Sequence, residues 1–149
     1  MNLKTTLSEI ALKWGYRMQE LRTDVFTMEI GLVRNKVDRR MQAVTVQLEN
    51  IEGKPRRIYI QGYCGIYNER ISLKEILKLA IAYNYCAVAL LDGKDKDGNL
   101  FTELVVQSCP QEDFTTTDEL DAIIFEVADK TDYIVMKYFE QAATSYDRP

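Results

Sequence analysis

No histidine occurs anywhere in the 149 residues. That absence removes the commonest general base and the commonest metal ligand, and it excludes every Ser–His and Cys–His dyad. Serine is scarce as well, with four in the chain, and Ser72 has the position of a helix cap. No glycine-rich loop has the spacing that cradles phosphate. The three cysteines, Cys64, Cys86 and Cys109, are far apart, odd in number and without metal or redox spacing, which predicts reduced thiols in a cytosolic protein. No apolar run approaches the ~20 residues of a membrane span. The opening MNLKTTLSEI lacks the apolar core of a signal peptide. The expectation is a cytoplasmic, non-catalytic protein with no cofactor, no metal and no membrane partner.

One segment needs a separate test for calcium. LLDGKDKDGNLFTE, residues 90–103, carries several acids, two glycines and a closing glutamate. An EF-hand loop that starts at Asp92 puts Glu103 at position twelve, but it places Lys94 and Lys96 where oxygen ligands are required and Asp97 where the turn needs glycine. Aligning Gly98 with that glycine puts Gly93 at position one and Leu104 at position twelve. Neither register works. The flanks YCAVALL and LFTELVVQ read as strands, so the segment is expected to be a hairpin loop whose Asp-Gly steps supply positive φ angles.

What remains is an ordinary globular balance of 46% apolar and 28% charged residues, enough for one domain with a single core. Charge is unevenly spread: residues 1–91 carry +5 and residues 92–149 carry −9, which reads as solvated faces on both halves. Three segments begin with the S/T-x-x-E capping box: Thr6 to Glu9, Ser72 to Glu75 and Thr116 to Glu119. Apolar residues at helical spacing follow each box. The first stripe runs Leu7, Ile10, Ala11, Trp14, Met18, Leu21. The second runs Leu73, Ile76, Leu77, Ala80, Ile81. The third runs from Leu120 through Ile134 and Tyr138 to Ala142, before a fraying tail TSYDRP.

Strands are expected between them, at 25–33, 41–49, 56–64, 85–91 and 100–108. In the first, Phe26, Met28, Ile30 and Leu32 share one face; in the next two, Val44, Val46 and Leu48, then Ile58 and Ile60, do the same. Short turns join the strands. The predicted fold is therefore α+β, an antiparallel five-stranded sheet with three helices in the order α-β-β-β-α-β-β-α, forming one domain over 1–149 that is ordered from about residue 5 to 142.

That order over residues 5–142 resembles the type III secretion chaperone-like fold, which includes class I secretion chaperones and YbjN-like proteins. The resemblance implies a bacterial, cytosolic homodimer without a catalytic centre that binds a protein partner. The residues offer separate support for a dimer. YCAVALL is apolar at every position, the pattern of a strand buried on both faces, and a second copy is one way to cover the second face. The expected dimer interface is Ile81, Tyr83, Tyr85, Ala87, Ala89 and Leu91. The expected partner-binding face is the less apolar side of the first three strands: Val33, Met41, Ala43, Tyr59 and Tyr63.

Two other functions compete. Arg56, Arg57, Tyr59, Tyr63 and Tyr67 interleave base and aromatic as single-stranded nucleic-acid platforms do, with Arg34, Lys36, Arg39 and Arg40 in the connection before them. Against this stand the element order and a pI of about 5.0. An enzyme would have to use Cys64, Cys109 or a carboxylate pair, and structural thiols on strands are the simpler reading.

Overall fold

The computed structural model describes residues 1–36 and 38–140. Its elements are α1 (Leu3–Trp14), β1 (Arg17–Arg22), β2 (Val25–Arg34), β3 (Asp38–Glu49), β4 (Arg57–Ile66), α2 (Leu73–Leu79), β5 (Ala87–Lys94), β6 (Leu100–Ser108) and α3 (Thr117–Ile134). Six strands form one sheet in the order β1-β2-β3-β4-β6-β5, with every neighbouring pair antiparallel. The α+β class stands, and the strand number is corrected from five to six.

The additional strand comes from the expected first helix. Gly15 adopts the left-handed conformation at φ 73°, and the N–H groups of Gly15 and Tyr16 both donate to Ala11 O. A glycine C-cap of this kind stops a helix without side-chain strain. Met18 and Leu21, spaced for a helix, instead lie on β1, where Met18 pairs with Met28 and Leu21 is exposed. The helix also starts earlier than Thr6: Asn2 caps it, its Oδ1 accepting from Thr5 N at 3.1 Å, and Thr6 is buried within the helix. Asparagine is as good a cap as serine or threonine. The other two boxes cap as read, Ser72 accepting from Glu75 N and Thr116 from Glu119 N.

Alternation sorts the sheet. Phe26, Met28, Ile30, Leu32, Val44, Val46, Ile58 and Ile60 are buried against α1 and α3 in one core. The opposite face has no helix of this chain over it among the described residues. α3 sits close on β4: a Cβ on Gly62 would lie 2.0 Å from Thr131 Oγ1. α3 continues as a π-helical turn, Val135–Glu140. Ala142 and the tail TSYDRP lie outside the described residues.

β5 corrects a second expectation. It is one of the two edge strands, and no residue of 85–91 is fully buried. α2 buries Ile76 alone and leaves Leu77 exposed, as is Ile81 in the 3-10 turn Ala80–Ala82 that follows. Glu126 ties the segment before β5 to α3, accepting from Asn84 N at 2.7 Å and Tyr85 N at 2.6 Å. The β5–β6 loop is a hairpin turn. The Asp95 carboxylate accepts from the amides of Asp97 and Asn99, and these bonds, Asn99 first, lower its pKa. Gly98 takes φ 80°, whereas Gly93 lies within β5 opposite Phe101, so one Asp-Gly step makes the turn rather than two.

Candidate functional site

β2 pairs with β3 along its whole length, but the pairing of each with its outer neighbour is shorter. β1 reaches only to Arg17↔Glu29, and β4 pairs with β3 only as far as Thr45↔Gln61. The far end of the β2–β3 hairpin is thus a two-stranded arm. Among the described residues, no strand lies beside one edge of residues 30–34 of β2.

The arm is fastened to α3 by charge. Asp132, 1% exposed, accepts from Arg40 Nε at 2.8 Å and Arg34 Nε at 3.2 Å. Arg34 also reaches Asp129 at 2.6 Å, and Arg40 reaches Glu140 at 2.6 Å. Glu140 and Asp132 hold the Arg40 guanidinium more firmly charged than usual, against the opposing effect of its burial.

Between this arm, the end of α1 and the start of α3 lies a groove of about 930 Å³. Four large apolar side chains stand exposed along it: Val33 at 65%, Met41 at 60%, Trp14 at 53% and Phe125 at 47%. Exposed apolar groups that converge in this way mark a binding surface far more often than scattered ones do. Trp14 is positioned from outside its own helix: its Nε1 donates to Asp121 Oδ2 at 2.9 Å, and Lys13 Nζ sits 5.0 Å from the ring centroid and 3.5 Å from Asp121. Burial, and after it the Asp121 carboxylate, raises the pKa of the neighbouring Tyr16 phenol.

Of the expected partner face, Val33 and Met41 line this groove and Ala43 is exposed next to them on β3. Tyr59 and Tyr63 lie on the same sheet face but on β4, apart from the groove. Tyr59 is half-buried, its hydroxyl donating to Gln107 Oε1, and Tyr63 is exposed beside Val105. Sequence reasoning missed Trp14, Tyr16 and Phe125. Trp14 fitted the core stripe of the first helix. Phe125 was legible in principle, because it is an aromatic off the apolar stripe of a helix whose other faces are charged.

Of the expected interface, Ile81 (91% exposed), Tyr85 and Ala87 are exposed, while Tyr83, Ala89 and Leu91 are half-buried. Lys130 covers the Tyr83 ring at 5.5 Å. The basic residues of the nucleic-acid reading are largely engaged. Arg34 and Arg40 bind α3, Arg56 binds Glu112 at 2.7 Å, and Arg57 donates to Cys109 O at 2.9 Å.

Among the described residues no group of three or more His, Cys, Asp or Glu is placed to hold a metal ion, and no helix is long and apolar enough to cross a membrane. Burial pushes the Cys64 and Cys86 thiols up to about 12, and raises Cys109. A raised thiol pKa means that the fold favours the neutral form. Its contribution to stability is complete below the unfolded value near 8.5 and is lost as pH rises toward 12. Cys64, the buried one, should therefore steepen the fall in stability by up to about 1.4 kcal/mol per pH unit in that window, and the half-exposed Cys86 by less because solvent screens it. Urea melts at pH 8, 9 and 10 check this. The Cys64→Ala/Cys86→Ala protein should be less stable at pH 8 and show a flatter pH profile; an unchanged slope would refute the assignment.

Comparison with protein-family models, with curated proteins and with solved structures finds no match to this chain.

Proposed function

We propose that this chain is a non-catalytic protein-binding module that acts as a homodimer and takes a protein partner at the groove between α1, the β2–β3 arm and α3. The observation that carries the reading is the convergence of Trp14, Val33, Met41 and Phe125 along a strand edge that, among the described residues, no other strand pairs. The engagement of Arg34, Arg40, Arg56 and Arg57 within the fold favours a protein over a nucleic acid. The raised thiol pKa values lower the thiolate fraction at neutral pH, in keeping with no nucleophilic role. The kinship to type III secretion chaperone-like and YbjN-like proteins is part of the same proposal. From β2 onward the element order agrees with theirs, and β1 is an addition.

The test is site-specific photocrosslinking in source cells. Benzoylphenylalanine at Met41 should give discrete protein adducts that Phe125→Asp abolishes, while the same group at Lys54, exposed in the β3–β4 connection, should give none. Absence of adducts at Met41 removes the reading.

The dimer proposal rests on β5. Among the described residues its outer edge has no strand partner, and Tyr85, just before it, and Leu90, on it, are exposed. Such an edge invites a second copy, and a two-fold contact introduces any new charge twice. Wild type should scatter light as twice the 17.3 kDa chain. Ala89→Glu should give monomer or aggregate, because each carboxylate buried without a partner costs several kcal/mol. Lys54→Glu, in the exposed β3–β4 connection, should remain dimeric. A wild type at the single-chain mass across micromolar concentrations defeats the proposal.

A further inference from the structure

We infer that the groove accepts an extended protein segment of alternating apolar and basic residues, added as a strand along the free edge of β2 at residues 30–34. The inference rests on the protein-binding reading above and names the chemistry of the partner.

The first support is the position of the groove on an edge. Its wall includes Leu32 from the core face of β2 together with Gly31 and Val33 from the open face. Only a site on the strand's edge touches both. β1 stops pairing at Glu29, whereas β3 stays paired as far as Arg34, so among the described residues the backbone donors and acceptors along this edge have no strand partner. Gly31 keeps the approach open, since a Cβ there would meet nothing nearer than Met41 Sδ at 3.8 Å. A guest strand would satisfy the edge by main-chain hydrogen bonds, with affinity from the ladder and specificity from alternate side chains.

The second support is charge. A strand laid here sends alternate side chains to opposite faces. One set falls beside Val33 and Met41 and should be apolar. The other falls toward α3, where Asp118, Asp121 and Phe125 stand with Trp14. The charged side chains of the groove are Glu29, Asp118 and Asp121 against Lys13. Among the described residues Asp118 has no ion-pair partner. Lys13 already displays the chemistry this side takes, an ammonium over the indole face and next to the Asp121 carboxylate. Its side chain is 58% exposed, so a guest cation can displace it and make the same two contacts.

Trp14 is the sole tryptophan of the chain, so its fluorescence reports on the groove directly. The probes are an acetylated heptapeptide of alternating valine and arginine, its valine–glutamate counterpart, and the arginine peptide N-methylated on alternate amides. The arginine peptide should shift Trp14 emission saturably. The other two should bind at least about tenfold more weakly, and so should the arginine peptide on Asp118→Lys. Glu119→Lys, which alters the same helical turn outside the groove, should bind like wild type and controls for folding. Equal binding of the valine–glutamate peptide, or full affinity in Asp118→Lys, overturns the charge assignment. Equal binding of the N-methylated peptide overturns strand addition. Failure of these peptides while Met41 still crosslinks to a protein sinks this inference alone. Loss of the Met41 adducts sinks the protein-binding reading beneath it.

Discussion

Asp132→Ala should cost about 3–5 kcal/mol of folding stability, among the largest effects of any single substitution in this chain. The carboxylate is 1% exposed and is shared by two guanidiniums, Arg34 Nε at 3.2 Å and Arg40 Nε at 2.8 Å. Removing it leaves both cations partly buried, with only Asp129 and Glu140 at the margins to hold them. An uncompensated buried charge costs far more than the net worth of the intact pair. The damage should also be local in form. The β2–β3 arm loses its fastening to α3, so peptide binding at the groove should weaken even under conditions where the protein remains folded. Asp129→Ala should cost much less, because Asp129 is more exposed and pairs with a single arginine. Urea unfolding followed by circular dichroism measures both. A loss below about 1 kcal/mol for Asp132→Ala would mean that the ion cluster is not what holds the arm.

Gly62→Ala should destabilise the protein by about 1–3 kcal/mol or more through overpacking, although it adds a single methyl group. The new Cβ would stand 2.0 Å from Thr131 Oγ1 and 2.8 Å from Thr131 Cβ. Thr131 cannot turn away, since it is fully buried and its hydroxyl donates to Val127 O at 2.6 Å. α3 must therefore lift from the sheet, and the core beneath Leu120, Ile124 and Val127 loosens with it. The cause can be isolated by a double-mutant cycle. Thr131→Gly removes the opposing atoms and should recover part of the loss, so the two changes should be strongly non-additive. Additive effects would show that the close approach of helix and strand is not the source of the cost.

Much of the fold was legible because its signals are local in the chain. The period of two in Phe26, Met28, Ile30 and Leu32 announces a strand and its buried face together, and that face is the buried one. The capping boxes at Ser72 and Thr116 mark helix starts, because the hydroxyl and the amide it satisfies are three residues apart. The hairpin reading of residues 90–103 rested on ligand spacing and flanking strands, and the loop's own amides occupy Asp95.

The errors arose where local signals are degenerate. Met18 and Leu21 suit a helix stripe as well as a strand, and only the left-handed turn at Gly15 and pairing with β2 decide for a strand. The apolar run 85–91 reads as doubly buried, yet strand order puts it at the sheet's edge, and order depends on which strands meet, not on what each contains. The candidate site is the extreme case. Val33 and Met41 were visible as apolar residues on the less apolar face, but nothing nearby in sequence links them to Trp14, Asp121 or Phe125. The hydrogen bond that positions Trp14 spans 107 residues, and the clamp that holds the arm spans 92 to 100. The sequence by itself determined which residues turn inward along each strand and where two of the helices begin, because periodicity and capping act over a few residues. Only the tertiary structure decided where the free strand edges lie and which side chains gather at them, because these follow from contacts between distant segments that no local pattern encodes.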